Sequence, residues 1–173
     1  ILIFLVFSNF LGASITIDGK LSEPEWDNAQ LVRDFLTVYP NDKSSPKYKT
    51  EVRFFSNEKG IYFGFLNEQP IETQTPLKHP RDKWFVDADR NLIMIDFDAN
   101  SNVGYEFSVT LGDTLRDAIW TNENEKSGSW DAIWFAKTHQ TEFAWYSEFF
   151  IPWEVAPMNV VAEKERSIKV SFF

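Results

Sequence analysis

The chain has 173 residues, of which 43% are hydrophobic and 17% aromatic, and its formal net charge is −9 at neutral pH. This length and composition suit one domain with a hydrophobic core, and the negative charge argues against binding to the phosphate backbone of nucleic acids. The sequence contains no cysteine, which excludes disulfides, thiolate zinc sites and a cysteine nucleophile.

The N-terminal stretch ILIFLVFSNFLGAS, residues 1–14, is an apolar run followed by small residues. This pattern is typical of the apolar region and cleavage end of a secretory signal peptide, and it is too short to cross a membrane as a helix. We interpret residues 1–14 as a signal-peptide remnant, with a buried first strand as the alternative. The interpretation predicts an exported protein, located in the periplasm, in the outer membrane or outside the cell.

The next segments have the patterns of short strands and turns. Apolar and polar residues alternate around Ile15, Asp18-Gly19 is a turn sequence, and Trp26 is expected to pack a one-turn helix onto the domain. Residues 50–66, TEVRFFSNEKGIYFGFL, form the clearest hairpin, because two alternating runs flank a turn sequence.

The segment from Glu68 to Arg90 contains three prolines and many polar residues, which predicts a long loop. Loops of this length are often functional. Trp84 stands among charged residues of this loop and is a candidate ligand contact. The alternative is that the loop forms a lid over one end of the domain.

The rest of the chain is predicted to be almost entirely strand. No long segment has the apolar period of a helix, so helices should be few and short. The predicted strands are Asn91–Phe97, Tyr105–Leu111, Leu115–Trp120, Trp130–Ala136, Phe143–Ile151 and Ser167–Phe173. Many short strands at regular spacing predict an all-β fold, an antiparallel β-sandwich of the jelly-roll or immunoglobulin-like kind. The chain stops inside the last run, so we expect the domain, residues 15–173, to be truncated at its C-terminus.

The tetrapeptide Asp-Ala-Ile-Trp occurs twice, at Asp117–Trp120 and at Asp131–Trp134. The residues that flank the two copies differ, so the copies do not define a repeat protein. We interpret them as the two arms of a hairpin, in which Leu115–Trp120 runs out and Trp130–Ala136 returns.

This hairpin would place three indoles on one side of a sheet, those of Trp120, Trp130 and Trp134. Sugar rings stack on exposed indole faces, while neighbouring polar groups bond their hydroxyls. The alternative is that these tryptophans belong to the core. A binding surface requires all three rings to be accessible on the same side.

The sequence DFDANSN places Asp96, Asp98 and Asn100 at alternating positions, as at the start of a calcium loop. An EF-hand is excluded, because a serine stands where its glycine is needed and Phe107 where its glutamate is needed. A looser calcium site at these three residues is one hypothesis, and a solvated turn is the alternative. The acidic residues from Asp87 to Asp98 could also be glycosidase carboxylates, if two of them faced each other.

Five segments resemble a known family in their order and spacing: IDGKLSEPEW, TEVRFFSNEKGIYFGF, NLIMIDFDANSNVGYEFSVT, SWDAIW and AWYSEFFIPWEVAP. The match extends over residues 15–173, and its order and spacing resemble those of the family 9 carbohydrate-binding module-like domain. The version they resemble stands at the N-terminus of bacterial exported proteins that continue into a predicted outer-membrane β-barrel. The most specific matches are Ile17-Asp18-Gly19 with Trp26, the strand at Glu51–Arg53, and Glu148 with Ile151-Pro152.

The resemblance implies an antiparallel β-sandwich that binds carbohydrate and is not itself an enzyme. In xylanase-linked members of the family, two tryptophans enclose a sugar and calcium ions support the loops. The first tryptophan corresponds to Ser56 here, with Phe55 beside it, and the second lies beyond Phe173. The candidate sugar contacts are Trp84, Trp120, Trp130, Trp134, Arg53 and Phe55.

Three functions are compatible with these patterns. The first is a noncatalytic carbohydrate-binding module of a secreted or envelope protein, tied to carbohydrate catabolism and partnered by an oligo- or polysaccharide. The second is a structural or partner-binding N-terminal domain of an outer-membrane β-barrel protein, without sugar affinity. The third is a fragment of a glycoside hydrolase. Exposed aromatic residues favour the first function, buried tryptophans and an apolar edge strand the second, and facing buried carboxylates the third.

Overall fold

The computed structural model describes residues 2–4, 15–40, 42–83, 87–122, 124–159 and 166–173. These residues form eleven strands and three short 3₁₀ helices, so the prediction of an all-β chain with few helices is confirmed. In this part of the chain, no helix has the length and apolar character needed to cross a membrane.

The strands are β1 (Leu2–Phe4), β2 (Gln30–Val32), β3 (Thr50–Asn57), β4 (Gly60–Glu68), β5 (Arg90–Asp96), β6 (Val103–Thr110), β7 (Leu115–Thr121), β8 (Glu125–Ser127), β9 (Phe135–Gln140), β10 (Ala144–Pro152) and β11 (Ser167–Phe172). The 3₁₀ helices are Pro24–Asn28, Ile71–Thr73 and Trp153–Val155.

The strands form two antiparallel sheets. One has six strands in the order β1-β11-β5-β6-β7-β8, and the other has five in the order β2-β3-β4-β10-β9. Side chains of both sheets contribute to one hydrophobic core, as the alternation of side chains along a strand requires. The predicted β-sandwich is therefore confirmed.

Large aromatic and branched side chains fill the space between the sheets. On the six-stranded side, Ile93 and Phe107 are fully buried, and Phe63 and Phe149 are fully buried on the five-stranded side. Each such side chain contributes about 1.5–3 kcal/mol through its removal from water. Because these apolar side chains point between the sheets, the alternate side chains on the outer face of the six-stranded sheet can be polar.

The outer face of the five-stranded sheet is covered by residues 15–29. Trp26 contacts Phe55 edge-to-face, with ring centroids 5.0 Å apart. Phe55 in turn stacks on Tyr62 at 4.9 Å. These contacts form a second, smaller apolar cluster, and the expected one-turn helix at Trp26 is confirmed.

The Glu148 carboxylate holds this N-terminal segment in place. Its Oε2 atom accepts hydrogen bonds from the backbone N–H groups of Asp18 and Gly19, at 3.0 and 2.9 Å. Its Oε1 atom accepts a bond from the indole N–H of Trp26 at 3.2 Å. Burial raises the pKa of Glu148 to about 7, although these three donors act in the opposite direction. Two of the segments that carry the sequence resemblance, IDGKLSEPEW and AWYSEFFIPWEVAP, therefore meet at one buried carboxylate.

The predicted hairpin between Leu115–Trp120 and Trp130–Ala136 is wrong. Strand β7 pairs with the short β8, and the chain then leaves the six-stranded sheet. Residues 128–134 form no strand, and β9 pairs with β10 in the other sheet. The crossing segment is fixed where Asp117 Oδ2 accepts the backbone N–H of Ala132 at 2.7 Å. Trp130 and Trp134 of this segment therefore pack toward the core, and the segment does not pair with β7 as a strand.

Part of the N-terminal apolar run has a described backbone. Residues Leu2–Phe4 pair with β11 in antiparallel register, as in the alternative of a first strand. Residue 1 and residues 5–14 lie outside the described part of the chain. The signal-peptide interpretation and the expected C-terminal truncation stay predictions.

Candidate functional site

A trough lies on the outer face of the six-stranded sheet, beside a half-exposed tryptophan. Trp120 on β7 pairs with Gly104 on β6, and the missing side chain at Gly104 leaves space next to the indole. The cavity has a volume of about 300 Å³, which reaches the lower end of the range usual for small-molecule sites. Met94 and Val103 complete its apolar lining, next to Trp120.

Glu106, which also projects outward from β6, fixes the orientation of Trp120. Its Oε2 atom accepts the indole N–H at 2.8 Å. Arg116 Nη2 donates to Oε1 at 2.6 Å, and Lys126 Nζ donates to Oε2 at 2.7 Å. Burial by itself would raise the pKa of Glu106, but the bonds from Lys126 and Trp120 and the charge of Arg116 outweigh it, so the pKa is lowered. The carboxylate is therefore ionised at neutral pH and holds the indole rigidly.

Lys126 also covers part of the Trp120 ring. Its Nζ atom lies 4.9 Å from the ring centroid, within the range of a cation–π contact. Lys126 reaches the ring from β8, whereas Gly104 lies on the opposite neighbour, β6. The indole surface that faces the trough is thus left for a ligand. A rigid aromatic face beside an open trough can stack on a flat, partly apolar ring such as a pyranose.

Of the other two tryptophans of the expected trio, Trp134 is buried and Trp130 is partly buried against the core. Trp134 is 3% exposed and stacks on Phe149, with centroids 5.9 Å apart. Trp130 is half-buried against Tyr105, at 5.1 Å between centroids. The expectation that three indoles share one accessible side is therefore wrong, because residues 128–134 cross between the sheets and turn these rings inward. Only Trp120 of the three faces the trough.

The other candidate sugar contacts from the sequence lie elsewhere. Arg53 donates to the backbone carbonyl of Trp26 at 3.0 Å, and Phe55 is 8% exposed beneath the same tryptophan. The N-terminal segment therefore leaves little surface of Phe55 for a ligand. Trp84 lies outside the described residues. Sugar binding at these positions stays a prediction.

The two aspartates of the repeated tetrapeptide meet at Arg81, which comes from the long loop. Its Nη2 atom lies 2.7 Å from Asp117 Oδ1 and 3.1 Å from Asp131 Oδ1. The same atom donates to the carbonyl of Ala132 at 3.0 Å. Asp82 completes a group of three carboxylates whose spacing would suit a metal ion, but the guanidinium supplies the positive charge there. This cluster ties the loop to the crossing segment.

The three residues of the calcium hypothesis make contacts within the protein. Asp96 accepts the backbone N–H groups of Asp98 and Ser101, at 3.1 and 2.6 Å. Asp98 forms an ion pair with Arg166 at 2.9 Å and accepts from the Asn159 side chain at 2.7 Å. Asn100 Oδ1 caps a turn by accepting the backbone N–H of residue 102. Arg166 thus takes the place of a cation, so these contacts favour a structural role, and calcium binding stays a prediction.

Sequence reasoning missed most residues of the trough. Gly104, which lines the trough, and Glu106 and Lys126, which hold Trp120 beside it, carry no recognisable motif. The sequence signal for residues 104 and 106 was the alternation along β6, which places them on the face opposite to Tyr105 and Phe107. The pairing of β6 with β7, which brings Trp120 to Gly104, is not visible in the sequence.

Comparisons with known proteins add information about the fold. No protein-family model and no curated protein matches the chain. Among solved structures, a family 9 carbohydrate-binding module from Caldicellulosiruptor kristjanssonii in complex with glucose is similar, with a TM-score of 0.60 and 14% identity. The similarity covers 98% of this chain and 75% of that one.

Two further structures agree with this. A family 9 module from the same organism in complex with cellotriose has a TM-score of 0.57 and 13% identity, over 92% of this chain and 71% of that one. A Bacteroides uniformis protein that is provisionally described as carbohydrate-binding has a TM-score of 0.63 and 10% identity. The similarity covers 86% of this chain and 72% of that one. The two antiparallel sheets, and the coverage of nearly all of this chain by the two family 9 modules, show that the chain has the fold of a family 9 carbohydrate-binding module.

Proposed function

We propose that the chain is a noncatalytic carbohydrate-binding module that holds a sugar in the trough beside Trp120. The observation that carries the proposal is a rigid, half-exposed indole next to a glycine-floored cavity. The fold supports it, since similar structures include complexes with glucose and cellotriose. Pyranose C–H groups stack on the indole, and polar groups farther along the trough bond the hydroxyls.

The noncatalytic part of the proposal is supported by the state of three buried carboxylates. Glu106 is bonded to two cations and an indole, Asp117 to Arg81, and Glu148 to the N-terminal segment. Each of these groups therefore has a structural partner. The export of the protein and its link to carbohydrate catabolism are also part of the proposal, and they are supported by the signal-like N-terminal sequence and by the sequence resemblance.

Calorimetric titration and a glycan array test the proposal. We expect at least one neutral glycan of the array to bind, with glucose and cellotriose as the first probes in solution. Trp120→Ala should weaken the affinity at least about tenfold, because it removes the stacking surface. Gly104→Thr should weaken it similarly by filling the trough; its Cβ atom would lie 3.2 Å from Met94 Sδ, so the flexible Met94 side chain must shift to accept it.

The matched control is Phe143→Ala, which removes an aromatic ring that is 72% exposed on another part of the surface. This variant should bind as the unchanged chain does. A blank array, or full binding by both trough variants, would reject the proposal.

An apolar edge favours a second candidate, a partner-binding domain. Strand β9 is the edge of the five-stranded sheet, and its Phe135 is 50% exposed. Ile133, just before this strand, is 80% exposed. Exposed apolar groups at a sheet edge are typical of protein interaction sites. Replacement of Phe135 by Ser should abolish association with a partner and leave sugar binding intact, whereas loss of sugar binding alone would count against this second function.

A further inference from the structure

We propose that the trough contains two subsites, one for stacking and one for hydrogen bonding, and that it selects neutral linear oligosaccharides over single sugars. This inference rests on the proposed function and adds the length and charge of the ligand. It is carried by the extent of the trough, the difference between its two ends and the charges along it.

The trough crosses four neighbouring strands of the six-stranded sheet. Trp120 pairs with Gly104 across β7 and β6, and Asp96 pairs with Lys169 across β5 and β11. All four residues line the same cavity. Adjacent strands lie about 4.8 Å apart, so three steps between strands span roughly 14 Å. One six-membered sugar ring is shorter than this, so the trough has room for more than one ring along its length.

The two ends of the trough have different chemistry. At the β7 end, Trp120 and Met94 provide apolar surface for stacking. At the β11 end, Lys169 Nζ donates to Ser101 Oγ at 2.7 Å, and the side chain of Ser171 is exposed beside them. This second group offers donors and acceptors to hydroxyls and little surface for stacking. A ring on the indole would therefore have its neighbour among the polar groups.

The position of Lys126 sets the direction in which a ligand extends. Lys126 occupies the β8 side of Trp120 and is held there by Glu106 at 2.7 Å. A second sugar is thus blocked on the β8 side by a fixed side chain. It is accommodated on the opposite side, toward β5 and β11, where the cavity continues.

The charges along the trough favour an uncharged ligand. It contains one carboxylate, Asp96, and one ammonium group, Lys169. Both oxygens of Asp96 accept backbone N–H groups, and Lys169 is bonded to Ser101. The chain as a whole carries a net charge of −9, which repels uronic acids and sulfated sugars. Neutral hydroxyl-rich chains are the class that fits.

Calorimetric titration of the full chain with matched mono- and oligosaccharides tests the inference. The probes are glucose, xylose, mannose and galactose, each beside its linear β-1,4-linked trisaccharide. We expect a trisaccharide to bind at least about tenfold more tightly than its monosaccharide, because it gains the bonds of the second subsite. Lys169→Met should remove most of that gain and leave the monosaccharide affinity within about twofold.

Lys137→Met is the matched control, since this lysine is exposed and pairs with Asp113 away from the trough. It should change neither affinity, while Trp120→Ala should lower both. Equal affinity for mono- and trisaccharides, or an equal loss of both in Lys169→Met, would overturn the two-subsite inference and leave the proposed function standing. Absence of binding to every probe would overturn both.

Discussion

Glu106 shows how one side chain prepares the surface on which the candidate site depends. Strand alternation directs it away from the core, yet its side chain is only 2% exposed, because Trp120, Arg116 and Lys126 surround it. A buried carboxylate is costly unless it is bonded to several donors. The same bonds that satisfy Glu106 also fix the indole, so stability and ligand binding depend on one group.

Replacement of Glu106 by Gln should lower the free energy of unfolding by about 3 kcal/mol, because it leaves Arg116 and Lys126 without their carboxylate. Urea unfolding measures this change. Glu125→Gln is the control, since Glu125 is exposed on the neighbouring strand β8. A loss no larger in Glu106→Gln than in the control would mean that the network contributes little.

Glu148 predicts a pH dependence of stability. Its pKa is about 7 in the folded protein, against an ordinary value of 4.5, so the folded state binds more protons than the unfolded state between these values. The stabilising contribution of Glu148 is therefore complete below pH 4.5 and is lost as the pH rises to about 7. The expected loss is roughly 2–4 kcal/mol.

Urea unfolding at a series of pH values isolates this effect when the chain is compared with Glu148→Gln. The unfolding free energy of the unchanged chain should fall relative to that of Glu148→Gln as the pH increases through this window, because glutamine does not titrate. Glu142→Gln, at an exposed position, should follow the unchanged chain at every pH. Parallel curves for the chain and Glu148→Gln would contradict the assignment.

Residues 15–29 are an element with little regular structure that is nevertheless held firmly to a sheet. Gly19 has a φ of +86°, and a Cβ atom there would lie 2.6 Å from the backbone carbon of Thr138. The turn therefore requires glycine, because a side chain would push the segment away from β9 and from Glu148. The contact of this turn with β9 is one reason why the segment covers Phe55.

Gly19→Ala should lower the free energy of unfolding by roughly 1–3 kcal/mol, through backbone strain and displacement of the segment. Gly128→Ala is the matched control, because nothing lies within 4 Å of a Cβ atom at that position. Thermal unfolding compares the two. If both variants melt together with the unchanged chain, the tight packing of the Gly19 turn does not contribute to stability.

The crossing segment shows what sequence periodicity can and cannot determine. Strands β5, β6 and β7 were correctly predicted. Along β5 and β6 this is because alternate apolar side chains, such as Ile93, Ile95, Phe107 and Val109, pack in the core between the sheets. The same alternation in Trp130–Ala136 was misread as a strand paired with β7. Two tryptophans that enter the core from a connection between sheets have the same spacing as two on a strand. The Arg81 contacts that fix this connection come from residues far away in the sequence.

For the molecule as a whole, the sandwich was predictable and the site was not. Many short alternating runs allow few folds other than two packed sheets, so the fold class followed from local patterns. The trough depends on which strands are neighbours, and only the folded chain brings Trp120 beside Gly104 and Lys169 beside Asp96. Sequence resemblance directed attention to Phe55, which the N-terminal segment covers.

The most direct test of the site is a crystal structure of the chain with a bound oligosaccharide chosen from the glycan array. We expect one sugar ring to stack on the face of Trp120 that borders Gly104, with the next ring toward Lys169. A sugar bound elsewhere, with Trp120 still covered only by Lys126 and the trough filled with water, would contradict the assignment of this surface as the carbohydrate site.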